Sequence, residues 1–192
     1  SPVARDQVQH ASESLNVSIV GIDVNSIVAA PGRHRKSIQE DVRRALAQLE
    51  DGRDIAICLL PGATAERVSE SDQQPSIERT ESSRKIVRHL GSVVAAILAS
   101  HSPLGLILTG GDTALSVCTS MGASGIALND EIVPGVPVGH LIGGLEPGLA
   151  IVTKAGSFGE VDTISRVVRY LRSTTTPSAT ACLGGRRIVA RQ

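Results

Sequence analysis

Aromatic residues are nearly missing from this chain: one Phe, one Tyr and no Trp in 192 residues. The flat rings on which proteins stack unpaired bases are therefore scarce. A formal net charge of zero, from 19 Lys plus Arg against 19 Asp plus Glu, gives no basic footprint for a phosphate backbone. Both features argue against nucleic acid as a partner. Three cysteines, Cys58, Cys118 and Cys182, are odd in number, widely spaced and without a CxxC pair. That pattern builds neither a disulfide framework nor a zinc site and suits a reducing, cytoplasmic setting. No apolar run approaches the roughly 20 residues that cross a bilayer, and the first residues lack the charged-then-apolar order of a signal peptide. Neither membrane insertion nor export is expected. The five histidines, at 10, 34, 89, 101 and 140, show no metal-ligand spacing, and no GxSxG elbow signals a serine hydrolase.

What is present is a globular composition, 41% hydrophobic and 20% charged, in a chain long enough for one real core. Strand-like and helix-like patterns alternate, which predicts an α/β domain. Ser1-Pro2 reads as an N-cap with proline at the first helical position, opening a helix to about Ser14. Leu15–Ile22 reads as a strand and Asp23–Arg35 as a loop turning at Pro31-Gly32. A helix over Lys36–Glu50 follows, then an apolar strand, Asp54–Leu60, bare of polar residues after its first, as in sheets covered on both faces. Ala63–Ile77 is polar and reads as a mobile loop. Thr80–Ser100 carries a wide apolar stripe at helical spacing and stops before Pro103.

The strand Leu104–Thr109 and a helix from about Asp112 to Met121 come next. Gly125–Leu128 is a short strand candidate. Prolines 134 and 137, with glycines 135, 139, 143 and 144, then break the rhythm and suggest turns and antiparallel edge strands in Glu131–Gly144. Leu149–Thr153 resumes the sheet, and a last helix runs through Val161 to Leu171. The expected architecture is a three-layer α/β sandwich with a largely parallel, mixed sheet and a small antiparallel insertion. Residues 1–172 form the domain, and 173–192, rich in Ser, Thr and Pro near their start, read as a disordered tail.

Chemistry concentrates at two strand-to-helix junctions. In LGLILTGGDTA, Gly110 and Gly111 end a strand and Asp112 and Thr113 open a helix. Glycines there let backbone N–H groups approach an anion, and the helix N-terminus favours negative charge. Neither a Walker pattern nor GxGxxG is matched. The residues alone leave an anion site and a plain βα turn both open. Asp112 reads as a helix cap or as a carboxylate that orients a magnesium-bound water or a ribose hydroxyl, capping being the commoner fate. Thr113 offers a hydroxyl to a phosphate oxygen or merely opens the helix. The second junction, KAGSFG, places Lys154 just past a strand end, where its ammonium could neutralise a phosphate, although a solvated lysine is commoner. Gly156 and Gly159 flank Phe158, which reads as an apolar contact to an adenine ring or, the commoner fate, as a core plug. His140 stands out slightly among the histidines because its glycine-proline segment is expected near this site.

SPVARDQV at the start, TGGDTA in the middle, then EIVPGVPVG and KAGSFGEVDTI, resemble in order and spacing the C-terminal nucleotide-binding domain of the four-carbon acid sugar kinases. The resemblance spans Ser1 to about Leu171. It implies phosphorylation of threonate, erythronate or 3-oxo-tetronate with ATP and Mg2+. In that family the turn matching Gly110, Gly111, Asp112 and Thr113 contacts ATP, as does the glycine matching Gly156. Ser1 matches the second serine of a Gly-Ser-x-Ser strand end that also serves the nucleotide. Lys154 belongs to the same loop, in which Ala155 and Ser157 depart from the usual Lys-Ser-Gly-Gly-Phe-Gly. The resemblance further implies a separate N-terminal domain, not included in these residues, that binds the four-carbon acid sugar. On that expectation the isolated chain is catalytically incomplete and its catalytic residue is unknown, while a homo-oligomer stays open. A non-catalytic nucleotide- or phosphate-binding regulatory module is the alternative.

Overall fold

The structure is a computed structural model that describes residues 1–28, 34–60, 77–174 and 187–191. Strands in its centre are apolar on both faces because both are covered by helices. In β2 (Asp54–Leu60), Ile55 and Ile57 face one layer while Ala56 and Cys58 face the other. In β3 (Gly105–Thr109), Leu106 and Leu108 alternate with Ile107 in the same way. Two hydrophobic clusters therefore lie back to back across one sheet. The first is built by α2 (Val24–Val28), α3 (His34–Glu50), α4 (Ile77–Leu98) and α5 (Gly111–Ser120). The second is built by α1 (Pro2–Leu15) and α6 (Thr163–Thr174). This is the expected three-layer sandwich.

Among the described residues the sheet has seven strands, in the order β1-β2-β7-β3-β6-β5-β4. β1 (Val17–Asp23), β2, β7 (Arg187–Arg191), β3 and β6 (Ala150–Lys154) run parallel. β5 (Val136–Gly143) turns antiparallel against β6, and β4 (Ala123–Val133) antiparallel against β5. The expected antiparallel insertion is this hairpin. Its first strand is far longer than Gly125–Leu128, because β4 is an edge strand with most side chains exposed and so lacks an apolar rhythm.

The C-terminal stretch needs the largest correction. Residues 173 and 174 finish α6, and Arg187–Arg191, read from sequence as part of a disordered tail, form β7 between β2 and β3 in the middle of the sheet. Ile188 and Val189 pair with Leu106 and Ile107 on one side and with Ile55 and Ala56 on the other. A five-residue strand beside a long Ser/Thr-rich stretch is too short for a composition-based reading to register. The short helix α2 also replaces part of the expected loop after β1. The Pro31-Gly32 turn and most of Ala63–Ile77 fall outside the described residues.

Candidate functional site

Adjacent strands β3 and β6 are followed by helices on opposite faces of the sheet, α5 in the first cluster and α6 in the second. Chain segments leaving neighbouring strands in opposite directions open a crevice at the strands' carboxyl ends, the usual ligand position in open α/β sheets. Both glycine-rich junctions lie there. Thr109 is in register with Lys154, and the Gly110 N–H donates to the Lys154 carbonyl at 2.9 Å. One hydrogen bond thus ties the two loops at their roots.

Gly110 is the N-cap of α5 and has φ 97°, a conformation L side chains rarely adopt. The capping reading of Asp112 and Thr113 is therefore overturned: glycine holds the cap position, and no side-chain cap bond forms. In the first turn that follows, the amides of Gly111, Asp112 and Thr113 have no acceptor within the helix. A Cβ added at Gly111 would meet nothing within 4 Å, so the backbone there faces open space. The Thr113 hydroxyl is buried without a hydrogen-bond partner, and the Thr109 hydroxyl is in the same condition at the end of β3. A buried hydroxyl left unpaired costs about 1–3 kcal/mol, which an acceptor oxygen in the crevice would recover.

On the other side, Lys154 is buried, 4% exposed, and its Nζ donates to the Ala155 carbonyl at 2.7 Å. The solvated-lysine reading fails here, because the ammonium lies inside the strand end. Ser1, the N-cap of α1 with Pro2 in the first turn, comes beside Gly156: a Cβ there would lie 3.5 Å from the serine Cβ. Ser1 and Gly156 are thus neighbours, and Gly110, Gly111, Thr113 and Lys154 lie together at the adjoining ends of β3 and β6. Asp112 lies at the edge of the crevice, with its neighbours Leu115 and Ser116 along the groove between α4 and α5.

Two further expectations do not hold. Phe158 is 44% exposed rather than a core plug, and it lies against the β4–β5 turn, where a Cβ on Gly135 would approach its ring to 2.7 Å. His140 pairs in register with Ala150, four residues back from Lys154, which puts it about 13 Å from the crevice at strand spacing. Its Nδ1 is instead 2.7 Å from the Asn129 Oδ1. Burial pushes the Cys118 thiol above its ordinary pKa, so it is a poor nucleophile at neutral pH.

Sequence reasoning missed Gln7. This fully buried side chain on α1 donates through Nε2 to the carbonyls of Phe158, Gly159 and Glu160 at 3.0, 3.0 and 2.7 Å. It fastens the second loop to the helix that begins at Ser1. The available signal was a glutamine lying among Ala4, Val8 and Ala11 on the buried stripe of α1. We expect Gln7→Met, similar in length but without the donor, to lower stability by about 2 kcal/mol, since partly buried carbonyls lose their partner. Thermal unfolding monitored by circular dichroism checks this. A Tm within 2 °C of the parent, against a shift of about 4–8 °C expected for a domain of this size, would refute it.

A family described as the nucleotide-binding C-terminal domain matches residues 1–164. The chain belongs to the four-carbon acid sugar kinase family. This domain is 46% identical over 87 residues to the D-threonate kinase of Bordetella bronchiseptica, which covers 45% of the chain and 22% of that protein. It is 27% identical over 177 residues to the D-erythronate kinase of Heliobacterium modesticaldum, covering 88% of the chain and 39% of the relative. Among solved structures, a Bordetella bronchiseptica protein described as a domain-swapped dimer with bound citrate matches 88% of the kinase-family domain and 38% of its own chain. The TM-score is 0.67 and the identity 30%. The chain therefore spans well under half the length of these relatives.

Proposed function

We propose that the crevice between the ends of β3 and β6 holds the phosphates of ATP, and that this domain is the nucleotide half of a kinase acting on a four-carbon acid sugar of the threonate, erythronate or 3-oxo-tetronate type. The reading is carried by the meeting of Ser1, Gly110 to Thr113, Lys154 and Gly156 at the switch point. Amide donors of a helix N-terminus, a buried ammonium and an unpaired hydroxyl are the groups a polyphosphate requires. The named activities of the relatives support the choice of kinase. Among the described residues no group of three or more His, Cys, Asp or Glu side chains is arranged to hold a metal. Mg2+ fits best as a partner carried in on the phosphates, its usual manner of binding in nucleotide enzymes. It would neutralise charge on the triphosphate.

Phosphoryl transfer also needs an acceptor held in line and a group to orient its hydroxyl. We assign both to the N-terminal domain of a longer protein, so the isolated chain binds nucleotide without turning it over. Among the described residues no helix is long and apolar enough to cross a membrane. We place the protein in the cytoplasm, the reducing setting that an odd number of widely spaced cysteines suits. The swapped dimer of the relative supports self-association here as well.

Calorimetric titration with MgATP tests the nucleotide assignment. The expected result is saturable one-to-one binding with Kd below about 1 mM, the upper end of ordinary substrate constants. A flat titration at that concentration overturns it. Adding a separately produced N-terminal domain is expected to restore ATP-dependent phosphorylation of a four-carbon acid; binding without that restoration would favour the regulatory-module alternative.

A further inference from the structure

The two outer strands among the described residues differ in how their edges are finished. β4 carries three register shifts against β5 and the exposed acids Asp130 and Glu131, irregularities and charges of the kind that keep an edge from pairing further. β1, on the opposite side, reads VSIVGID: seven residues in unbroken register with β2, four of them Val or Ile, with the one charge at the last position. Regular, β-branched and almost uncharged, it is a template for another strand. A groove of about 600 Å3 runs along it from Asn16 to Gly21, flanked by Ser12 of α1 and by Arg43 and Gln48 of α3. Val17 faces the second cluster and Val20 and Ile22 the first, so Ile19 and Gly21 alternate onto the Val17 face. On that face Ile19 is 42% exposed. Leu60, at the end of β2, is 49% exposed and lies over Gly21, where a Cβ would come within 2.5 Å of its Cδ1.

We propose that β1 is a dimer interface: the β1 strands of two copies of this chain pair antiparallel about a two-fold axis at Val20, and the two sheets become one. Two features of the edge fit a second copy rather than an unrelated strand. A two-fold pairing of strands is antiparallel, and about Val20 it sets Ile19 of each copy opposite the partner's Gly21, on the same face. Gly21 has no side chain of its own and is overlaid by Leu60, so the half-exposed Ile19 comes down on the half-exposed Leu60 of the other copy. Symmetry makes this apolar contact twice. The charges follow the same axis. Arg53 stands at the amino end of the strand, its Nη1 3.3 Å from the Ser18 Oγ, and Asp23 stands at the carboxyl end. Antiparallel pairing brings each Arg53 level with the partner's Asp23, whereas parallel pairing would set arginine beside arginine. This interface gives the self-association proposed above a surface, and it does not depend on the nucleotide reading.

Sedimentation velocity of the full chain over a dilution series tests this, with hydrogen exchange read by mass spectrometry on the same samples. The unaltered chain is expected to sediment as a dimer that dissociates on dilution, and residues 17–23 are expected to exchange more slowly in the dimer than in the diluted monomer. Ile19→Lys puts on this edge the residue that natural edges use to stay unpaired, and it should raise the dimer Kd at least about tenfold with an unchanged circular dichroism spectrum. Arg53→Glu and Asp23→Arg are each expected to raise it about fivefold, and the double variant Arg53→Glu/Asp23→Arg to bring it back within about twofold of the parent. Dimers that survive Ile19→Lys, with no concentration-dependent protection of residues 17–23, overturn the interface and leave self-association to another surface. A double variant as weak as the single ones overturns the antiparallel pairing. A chain that stays monomeric at every concentration removes both the interface and the self-association, while the nucleotide reading stands.

Discussion

Gly111→Val is expected to weaken MgATP binding between about tenfold and a hundredfold while leaving the fold intact. The separation of the two effects follows from where this glycine sits. Its φ lies outside the positive range, and a Cβ there meets no atom within 4 Å, so the substitution introduces neither backbone strain nor a clash. Helix propensity at the first position of α5 favours valine over glycine, by well under about 1 kcal/mol. The valine methyls instead fill the open space through which a phosphate would reach the amides of Gly111, Asp112 and Thr113. Losing one charge-assisted hydrogen bond, at about 1.5–3 kcal/mol, gives the stated range. Gly110→Ala is the informative contrast. With φ 97° at the N-cap, that residue strains the backbone, and the loss should appear in Tm as well as in binding. Calorimetry and thermal unfolding on both variants decide the matter, and MgATP affinity within twofold of the parent for Gly111→Val would remove the crevice from nucleotide binding.

The parts of this molecule legible in its sequence are those where one physical demand governs each residue. β2 runs from Asp54 to Leu60 as its unbroken apolar stretch requires, and α3, α4 and α6 follow stripes spaced at 3.6 residues. The two glycine junctions were visible because glycine before a helix answers a local need for backbone freedom or close approach. Their meeting at the carboxyl ends of the strands follows from the α/β sheet as a whole rather than from either junction alone, since ligand loops gather at that end of an open sheet. It depends on β6 lying beside β3 after a detour of some 40 residues through α5 and the hairpin, an arrangement set by the whole sheet. Gln7 was unreadable for a related reason: its three acceptors lie about 150 positions away in the chain. β4 and β7 failed differently. One is an edge strand with little to bury, and the other is five residues whose partners, β2 and β3, supply the context that makes them a strand.

Asp41→Ala should destabilise the domain by about 3 kcal/mol, where the ranges for an orphaned buried donor and a broken buried ion pair meet. The His89 side chain is wholly buried on α4, with its Nε2 2.8 Å from the Asp41 Oδ2 on α3, and Asp41 itself is 7% exposed. Arg44, one turn along α3, engages the other carboxylate oxygen from a more exposed position. The group of three makes a polar link between two helices that also meet through apolar residues, and α4 is the helix that presents Arg84 and Arg88 to the groove. Removing the carboxylate takes the Asp41 partner from an imidazole set in a core built from Leu90, Val93 and Ala45. For a domain of this size the loss corresponds to a fall in Tm of about 6–12 °C. Asp41→Asn keeps an acceptor of nearly the same shape and should recover much of it. The double variant Asp41→Leu/His89→Leu is the sharper comparison. If the penalty of Asp41→Ala arises from the abandoned histidine, replacing both partners by apolar groups makes the double variant more stable than Asp41→Ala. A double variant no better than Asp41→Ala would assign the loss to packing.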